Sequence, residues 1–252
     1  MVRITLRPLV PGLYHAALRM PVALGPAALQ ANCYVAVNAA GLHLFDCGSY
    51  GEFPTLLRAL AEMFPAKPVR AVYLTHGHAD HCGAALPLLG LGAPLLASPE
   101  DLPLFRNGGP AGVPKAFTYP PFSAITPLYD RDMVAIQDVA DFQVLHAPGH
   151  TAGSLCFFDR QNRILITGDL LIGPMKGHLA TYALEVLTAK RQPPVELERH
   201  LASLAAAEAA TANGSGLLVL PGHGPPFHTL AKPGEFQRTA RILKQTLRKK
   251  QR

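Results

Sequence analysis

Three observations predict an α/β fold. Short β-prone runs recur along the chain, among them Val69–Leu74, Phe142–Leu145, Arg163–Ile166 and Gly216–Leu220, and each stops within a few residues at a glycine. Stretches of helical period separate them, as in Glu52–Met63 and Pro194–Ala212. Each of the four runs also delivers a histidine or an aspartate just beyond its last apolar residue, and open sheets place their ligands beyond the ends of their strands.

Taken in order, the first 48 residues read as short strands and turns: Arg3 to Arg7, Leu13 to Leu18, Cys33 to Val37, and Leu42 to Phe45, which ends at Asp46. A helix from Glu52 to Met63 turns Phe53, Leu56, Leu57 and Leu60 inward and stops where Pro65 and Pro68 forbid continuation. Behind Val69–Leu74 comes Thr75-His76-Gly77-His78-Ala79-Asp80-His81-Cys82-Gly83, which packs three imidazoles and a carboxylate into six positions. In an extended segment side chains at i and i+2 share a face, so His76 and His78 can reach one metal. Asp80 and His81 then turn onto the next element and can reach a second. Gly77 is expected to let the backbone bend between the first two histidines.

A helix near Ala84 to Leu89 and a strand near Pro94 to Ala97 follow, then a short helix with Ser98 at its N-cap and Pro99 in its first turn. Residues 106–127 are rich in Gly, Pro and aromatics, and a loop of that length is expected to be a rim with Phe117, Tyr119 and Phe122 as apolar substrate contacts. Further on, His146 reads as a packed neighbour of the strand leading to His150, and Ser154 as a partner for backbone groups of that loop. Asp169 follows the third run and His223 the fourth.

With 49% hydrophobic and 16% charged residues the 252-residue chain can bury a large core, and nothing in its composition suggests disorder. No apolar run approaches the roughly 20 residues of a membrane span, which argues against a membrane partner. Arg3, Arg7, Pro8, Pro11 and Arg19 interrupt any secretory h-region, so a cytoplasmic location is expected. Cys33, Cys47, Cys82 and Cys156 lack C-x-x-C spacing and read as small buried residues. The formal charge of +6 is terminal: residues 238–252 hold seven cations and no acid, so without them the chain carries −1. Phe236, Ala240, Leu243 and Leu247 make that segment an amphipathic helix with its apolar stripe inward. Its cations suit the helix C-terminus, and the alternative is an RNA footprint.

From Asn32-Cys33-Tyr34-Val35 and Phe45-Asp46-Cys47-Gly48, through H-G-H-A-D-H and P-G-H-T-A-G-S, to G-D at 168–169 and P-G-H-G at 221–224, the chain resembles a metallo-β-lactamase-fold hydrolase of the glyoxalase-II-like kind. The resemblance covers nearly the whole chain and implies one domain over 1–252, a four-layer α/β/β/α sandwich with a two-metal site at one edge. It implies that His76, His78 and His150 hold one metal, Asp80, His81 and His223 the other, and that Asp169 bridges them. Asp46 is then expected behind the ligands, accepting from the ring N–H of a ligand histidine. Five imidazoles and two carboxylates suit two divalent ions, Zn²⁺ first and Fe or Mn otherwise. Such a pair makes hydroxide available near pH 7, with Asp80 as the catalytic carboxylate that orients it.

The implied reaction is hydrolysis of a small-molecule ester, thioester or lactone, or of a phosphodiester. Lactam hydrolysis is not implied, because true metallo-β-lactamases lack an aspartate at the position of Asp169. Where glyoxalase-II enzymes and persulfide dioxygenases show G-C-G-[RK], this chain reads Gly173-Pro174-Met175-Lys176-Gly177. Leu197-Glu198-Arg199-His200-Leu201-Ala202-Ser203-Leu204 resembles the RNA-cleaving and esterase branch. Lys176, His178 and Tyr182 are the candidate substrate contacts. Two other classes are carried alongside: a mononuclear iron persulfide dioxygenase, and a non-catalytic scaffold that binds RNA through the basic helix.

Overall fold

The computed structural model describes residues 4–19, 30–174, 189–190, 192–212, 216–231 and 234–252. These fall into two units, Met1–Leu128 with Ala135–Ala140, and Tyr129–Val134 with Asp141–Arg252. Lys176, His178 and Tyr182 lie outside the described residues.

The first unit carries β1 (Leu6–Val10), β2 (Leu13–Arg19), β3 (Gln30–Val37), β4 (Leu42–Phe45), β5 (Val69–Tyr73), β6 (Leu95–Ala97) and β7 (Thr126–Pro127). Its sheet runs in the order β7-β6-β5-β4-β3, and β2 joins β3 and β1 joins β2. Pairing is antiparallel from β1 to β4 and parallel from β4 to β7. Parallel neighbours need crossovers, and helices supply the first two. These are α1 (Phe53–Met63) between β4 and β5, then α2 (Ala79–Cys82) and α3 (Ala85–Gly90) between β5 and β6. On α1, Leu56, Ala59 and Leu60 recur at i, i+3 and i+4 and are buried, while Phe53 and Leu57 are only half-buried. Burying Leu56 and Leu60 stabilises this layer by roughly 1.5–3 kcal/mol each.

Ser98 caps a single 3₁₀ turn, accepting from Glu100 N–H at 3.2 Å, and α4 (Leu102–Asn107) follows. The long loop behind it departs from expectation. Tyr119 and Phe122 belong to the core of this unit, and Phe122 stacks on Phe105 with ring centroids 4.9 Å apart. They are therefore not rim residues; aromatics in a Gly/Pro-rich stretch are placed inside when a neighbouring helix offers an apolar wall. Phe117 remains half-exposed.

The chain leaves the first unit through β8 (Met133–Ile136) and β9 (Ala140–His146), neighbours in the sheet, of which Met133–Val134 and Asp141–His146 belong to the second unit; that unit also carries β10 (Leu155–Asp159), β11 (Ile164–Ile172), β12 (Leu218–His223) and β13 (Phe227–His228). Here β9, β10 and β11 are antiparallel, and β11 and β12 run parallel. The crossover between that parallel pair includes α5 (Pro194–Thr211), and α6 (Glu235–Lys250) closes the described chain. Leu197, Leu204 and Ala207 of α5 and Phe236 and Leu243 of α6 share one core with Phe158, Leu165 and Val219 of the strands.

Two details of the second unit also differ from the sequence reading. Asp169 does not sit beyond a strand end: β11 runs on to Ile172, and its register against β12 shifts on either side of Gly168, which has φ 47°. This bulge re-aims the next side chain. On α6 the buried residues are Phe236, Thr239, Ile242, Leu243 and Thr246, with Ala240 and Leu247 half-buried, so the inward face is broader than the stripe read from sequence. Arg241, Lys244, Arg248 and Lys249 are exposed, whereas Arg238 is held by Glu235 at 2.6 Å. Among the described residues no helix is long and apolar enough to cross a membrane.

Candidate metal centre

In the first unit the site grows from the ends of β4 and β5. Asp46 follows β4 at φ 59°, a left-handed conformation that Asp tolerates better than most residues, and it is almost fully buried. Its Oδ1 accepts from Thr75 N–H at 2.8 Å, and its Oδ2 accepts from both the Thr75 hydroxyl and His81 Nδ1, each at 2.8 Å. A carboxylate can only accept, so His81 carries its proton on Nδ1 and Nε2 bears the lone pair. The Thr75 hydroxyl, having given its hydrogen to Asp46, accepts from His76 Nδ1 at 3.0 Å. One buried carboxylate thereby sets the tautomers of two histidines, and both turn Nε2 lone pairs outward from it.

His76 Nε2 lies 3.1 Å from His78 Nδ1, the His76 and His81 rings are 4.2 Å apart, and His81 Nε2 stands 3.7 Å from Asp80 Oδ2. Asp80 sits in the first turn of α2, and His78 is its N-cap. The peptide between His76 and His78 is gripped from both sides. The Asp101 carboxylate accepts from Gly77 N–H and the Tyr119 hydroxyl donates to the Gly77 carbonyl, each at 2.8 Å. Glycine is needed here because a Cβ would meet Leu104 Cβ at 2.8 Å, a matter of space rather than of bending. Behind the cluster the Cys33 thiol donates to the Asp46 carbonyl at 3.1 Å and Cys47 to that of His81 at 3.3 Å. Burial pushes both thiols well up, and it pushes Cys156 up to about 12, so they act as small packed donors as the sequence suggested.

In the second unit Asp169 Oδ2 lies 3.4 Å from His150 Nε2 and 3.3 Å from His223 Nε2. One carboxylate oxygen thus stands almost equally far from two imidazole nitrogens on different segments. His150 follows the Pro148-Gly149 turn after β9, and His223 ends β12. His146 points elsewhere, its Nε2 contacting the Ala152 carbonyl at 3.0 Å, and Ser154 Oγ accepts from Thr151 N–H at 3.0 Å, both as the sequence suggested.

The donor chemistry fits a cation in both units. Two ligands each about 2.0–2.2 Å from a tetrahedral ion stand roughly 3.3–3.5 Å apart, close to the separations around Asp169 Oδ2. In the first unit the lone pair on His81 Nε2 faces a carboxylate oxygen beyond hydrogen-bond distance, an arrangement of two acceptors that a positive ion between them satisfies.

Gly149 offers a local test. Its φ is 131°, and an added Cβ would lie 2.3 Å from the His200 backbone nitrogen. Gly149→Ala is expected to cost about 3 kcal/mol, combining backbone strain with the collision, and to displace His150. Urea unfolding of the metal-free protein reads the first effect; wild-type stability would show that α5 yields freely at this contact.

Residues that support the candidate ligands went unread in the sequence. Thr75, Asp101, Gln192, His200 and Ser203 all bond to a candidate ligand or to backbone within two residues of one. For His200 a signal existed, since it interrupts the apolar face of α5 formed by Leu197, Leu204 and Ala207.

Comparison with known proteins bears on the family and the fold. The family model of the metallo-beta-lactamase superfamily matches residues 26–225. The hydroxyacylglutathione hydrolase GloC of Haemophilus influenzae is 30% identical over 152 residues, which cover 57% of this chain and 68% of that protein. The acyl-coenzyme A thioesterase MBLAC2 of Gallus gallus is 30% identical over 139 residues, covering 48% of this chain and 50% of its own. Among solved structures, the metallo-beta-lactamase family protein TTHA1429 of Thermus thermophilus superposes with a TM-score of 0.67 at 22% identity, covering 94% of this chain and 80% of that one. That likeness shows the α/β fold expected from the sequence, and on the extent of the family match the chain belongs to the metallo-beta-lactamase superfamily.

Proposed function

We propose that this chain is a dinuclear metal-dependent hydrolase, with His76, His78 and His150 on one cation, Asp80, His81 and His223 on the other, and Asp169 bridging. The observation that carries the reading is the single Asp169 oxygen held between His150 Nε2 and His223 Nε2 at 3.4 and 3.3 Å. An all-imidazole and carboxylate set without thiolate favours Zn²⁺, with Fe and Mn as the other candidates. When bound, such a pair would lower the pKa of a shared water to about 7 and polarise the scissile carbonyl or phosphoryl oxygen.

The chain's own residues then have defined tasks. Asp46 and Thr75 keep His76 and His81 in the tautomer that offers Nε2. Asp80, partly open to solvent with 14% of its side chain exposed, orients the attacking water and receives its proton. The clamp of Asp101 and Tyr119 on Gly77 fixes the spacing of His76 from His78. Prepaid order of this kind is what holds the reacting groups in line.

Of the four bond classes, the thioester is favoured, because two similar proteins are named for thioester hydrolysis. Purified protein assayed on thioester, lactone, phosphodiester and lactam substrates, with metal content measured alongside, is expected to hydrolyse thioesters with two metal ions per chain. Activity confined to RNA would reassign the substrate and bring the basic face of α6 into the binding surface. One iron per chain with oxygen consumed on a persulfide would replace hydrolysis by oxygenation.

A further inference from the structure

The segment Leu197–Leu204, set apart by its motif, has no part in the chemistry above, and yet it places a buried histidine on a helix directly against the turn that carries His150. His200 is 3% exposed. Its Nε2 lies 3.1 Å from the carbonyl of Leu170, the residue after Asp169. A carbonyl only accepts, so Nε2 carries the proton and Nδ1 bears the lone pair. Gln192 Nε2 approaches that lone pair at 3.3 Å and also donates to the Gly149 carbonyl at 2.6 Å. The amide orientation follows from the same logic, since a flipped Gln192 would turn its oxygen toward two acceptors.

The result is a hydrogen-bonded relay from the carbonyl after Asp169, through His200 and Gln192, to the carbonyl before His150. Two further contacts hold the turn against α5. Ser203 Oγ donates to the Pro148 carbonyl at 2.7 Å, and Gly149 lies so close to the His200 backbone that only glycine fits. Burial lowers the pKa of His200, outweighing the opposing pull of its bond to Leu170, so the relay works with a neutral ring. Packing alone would be served by leucine, the residue at Leu197 and Leu204 on the same face. A buried imidazole with both nitrogens engaged does something leucine cannot: it fixes the distance between two segments that are not neighbours in sequence.

We propose that His200 is a positioning residue that sets the separation of the His150 turn from the Asp169 strand, and with it the affinity of this half of the site for its cation. The inference rests on the metal-binding reading above. Partners behind metal ligands typically control affinity by about 10–100-fold.

The test uses the full-length protein, Co²⁺ as the probe, and competition with a chromophoric chelator. His200→Leu, which removes both hydrogen bonds, is expected to weaken Co²⁺ binding at least about 10-fold and to alter the ligand-field band. His200→Gln, whose amide can donate to Leu170 and accept from Gln192, is expected to recover most of the affinity. Gln192→Leu breaks the relay from outside the helix and is expected to weaken binding as His200→Leu does. It carries the test should His200→Leu fail to fold. Wild-type affinity and band shape in both leucine variants would overturn the positioning role while leaving the metal site standing. A wild-type protein that binds no Co²⁺ would overturn the metal site itself, and this inference with it.

Discussion

Asp169→Ala is expected to lower kcat/KM by at least about 10³-fold, equivalent to about 4 kcal/mol of transition-state stabilisation, and to reduce bound metal from two ions per chain to one or none. The size of the effect follows from geometry. One oxygen stands at near-equal distance from His150 Nε2 and His223 Nε2, so on the proposed dinuclear reading its removal takes a ligand from each cation at once. On the same reading any other single ligand would belong to one cation only, and its loss is expected to leave the second ion in place. The carboxylate also supplies negative charge that holds two dications near each other; alanine leaves their repulsion unscreened in a site of low dielectric. Stoichiometry by elemental analysis and kcat/KM on the best substrate measure the outcome, with circular dichroism as a check that β11 still forms. A variant that keeps two ions and more than a tenth of the activity would remove the bridging role and the dinuclear reading with it.

The candidate ligands were legible because their clusters sit where a strand pattern breaks at glycine, and a break of period is a strong local signal. Asp46 was legible for the same reason, as the residue after the short run Leu42–Phe45. Bond partners were not. That Thr75 stands between Asp46 and His76 depends on β4 and β5 pairing in parallel, with Phe45 opposite Tyr73, a register set by contacts 28 residues apart in the chain. Tyr119 was misread as a rim residue because composition marks residues 106–127 as loop but cannot say which side chains turn inward. Its hydroxyl reaches the Gly77 carbonyl across 42 positions, a link that no local pattern encodes.

Asp169 shows a subtler gap between pattern and structure. Gly168 was read as the end of a strand, whereas β11 continues to Ile172 by way of a bulge. Both readings present the aspartate at a break in the pleat, so its candidacy as a ligand does not depend on where the strand was thought to end. His200 is the converse. Its element was correctly read, and its role was invisible because a polar residue on an apolar helical face has many explanations until its partners are known.

A single atom offers the sharpest test of the hydrogen bonding around the first unit's ligands. Asp46→Asn replaces a carboxylate oxygen by an NH₂ group of almost the same size, and at φ 59° asparagine is tolerated as well as aspartate, so backbone strain does not confuse the outcome. In the wild type Oδ2 accepts two hydrogens, from His81 Nδ1 and from the Thr75 hydroxyl. An NH₂ there donates, which forces both partners to accept. His81 must move its proton to Nε2, where it blocks metal binding. The Thr75 hydroxyl, now accepting, turns its hydrogen toward His76 Nδ1 and drives that proton to Nε2 as well. Flipping the amide does not escape the problem, because NH₂ would then face Thr75 N–H, leaving two donors opposed in a buried site at a cost of about 1–3 kcal/mol. Metal affinity is therefore expected to fall by about 10–100-fold or more, with both tautomers reversed. Chelator competition reads the affinity, and ¹⁵N chemical shifts of the imidazole nitrogens read the tautomers. Unchanged shifts together with unchanged affinity would mean that Asp46 merely shapes the turn after β4, and that the orientation of His76 and His81 is set by packing alone.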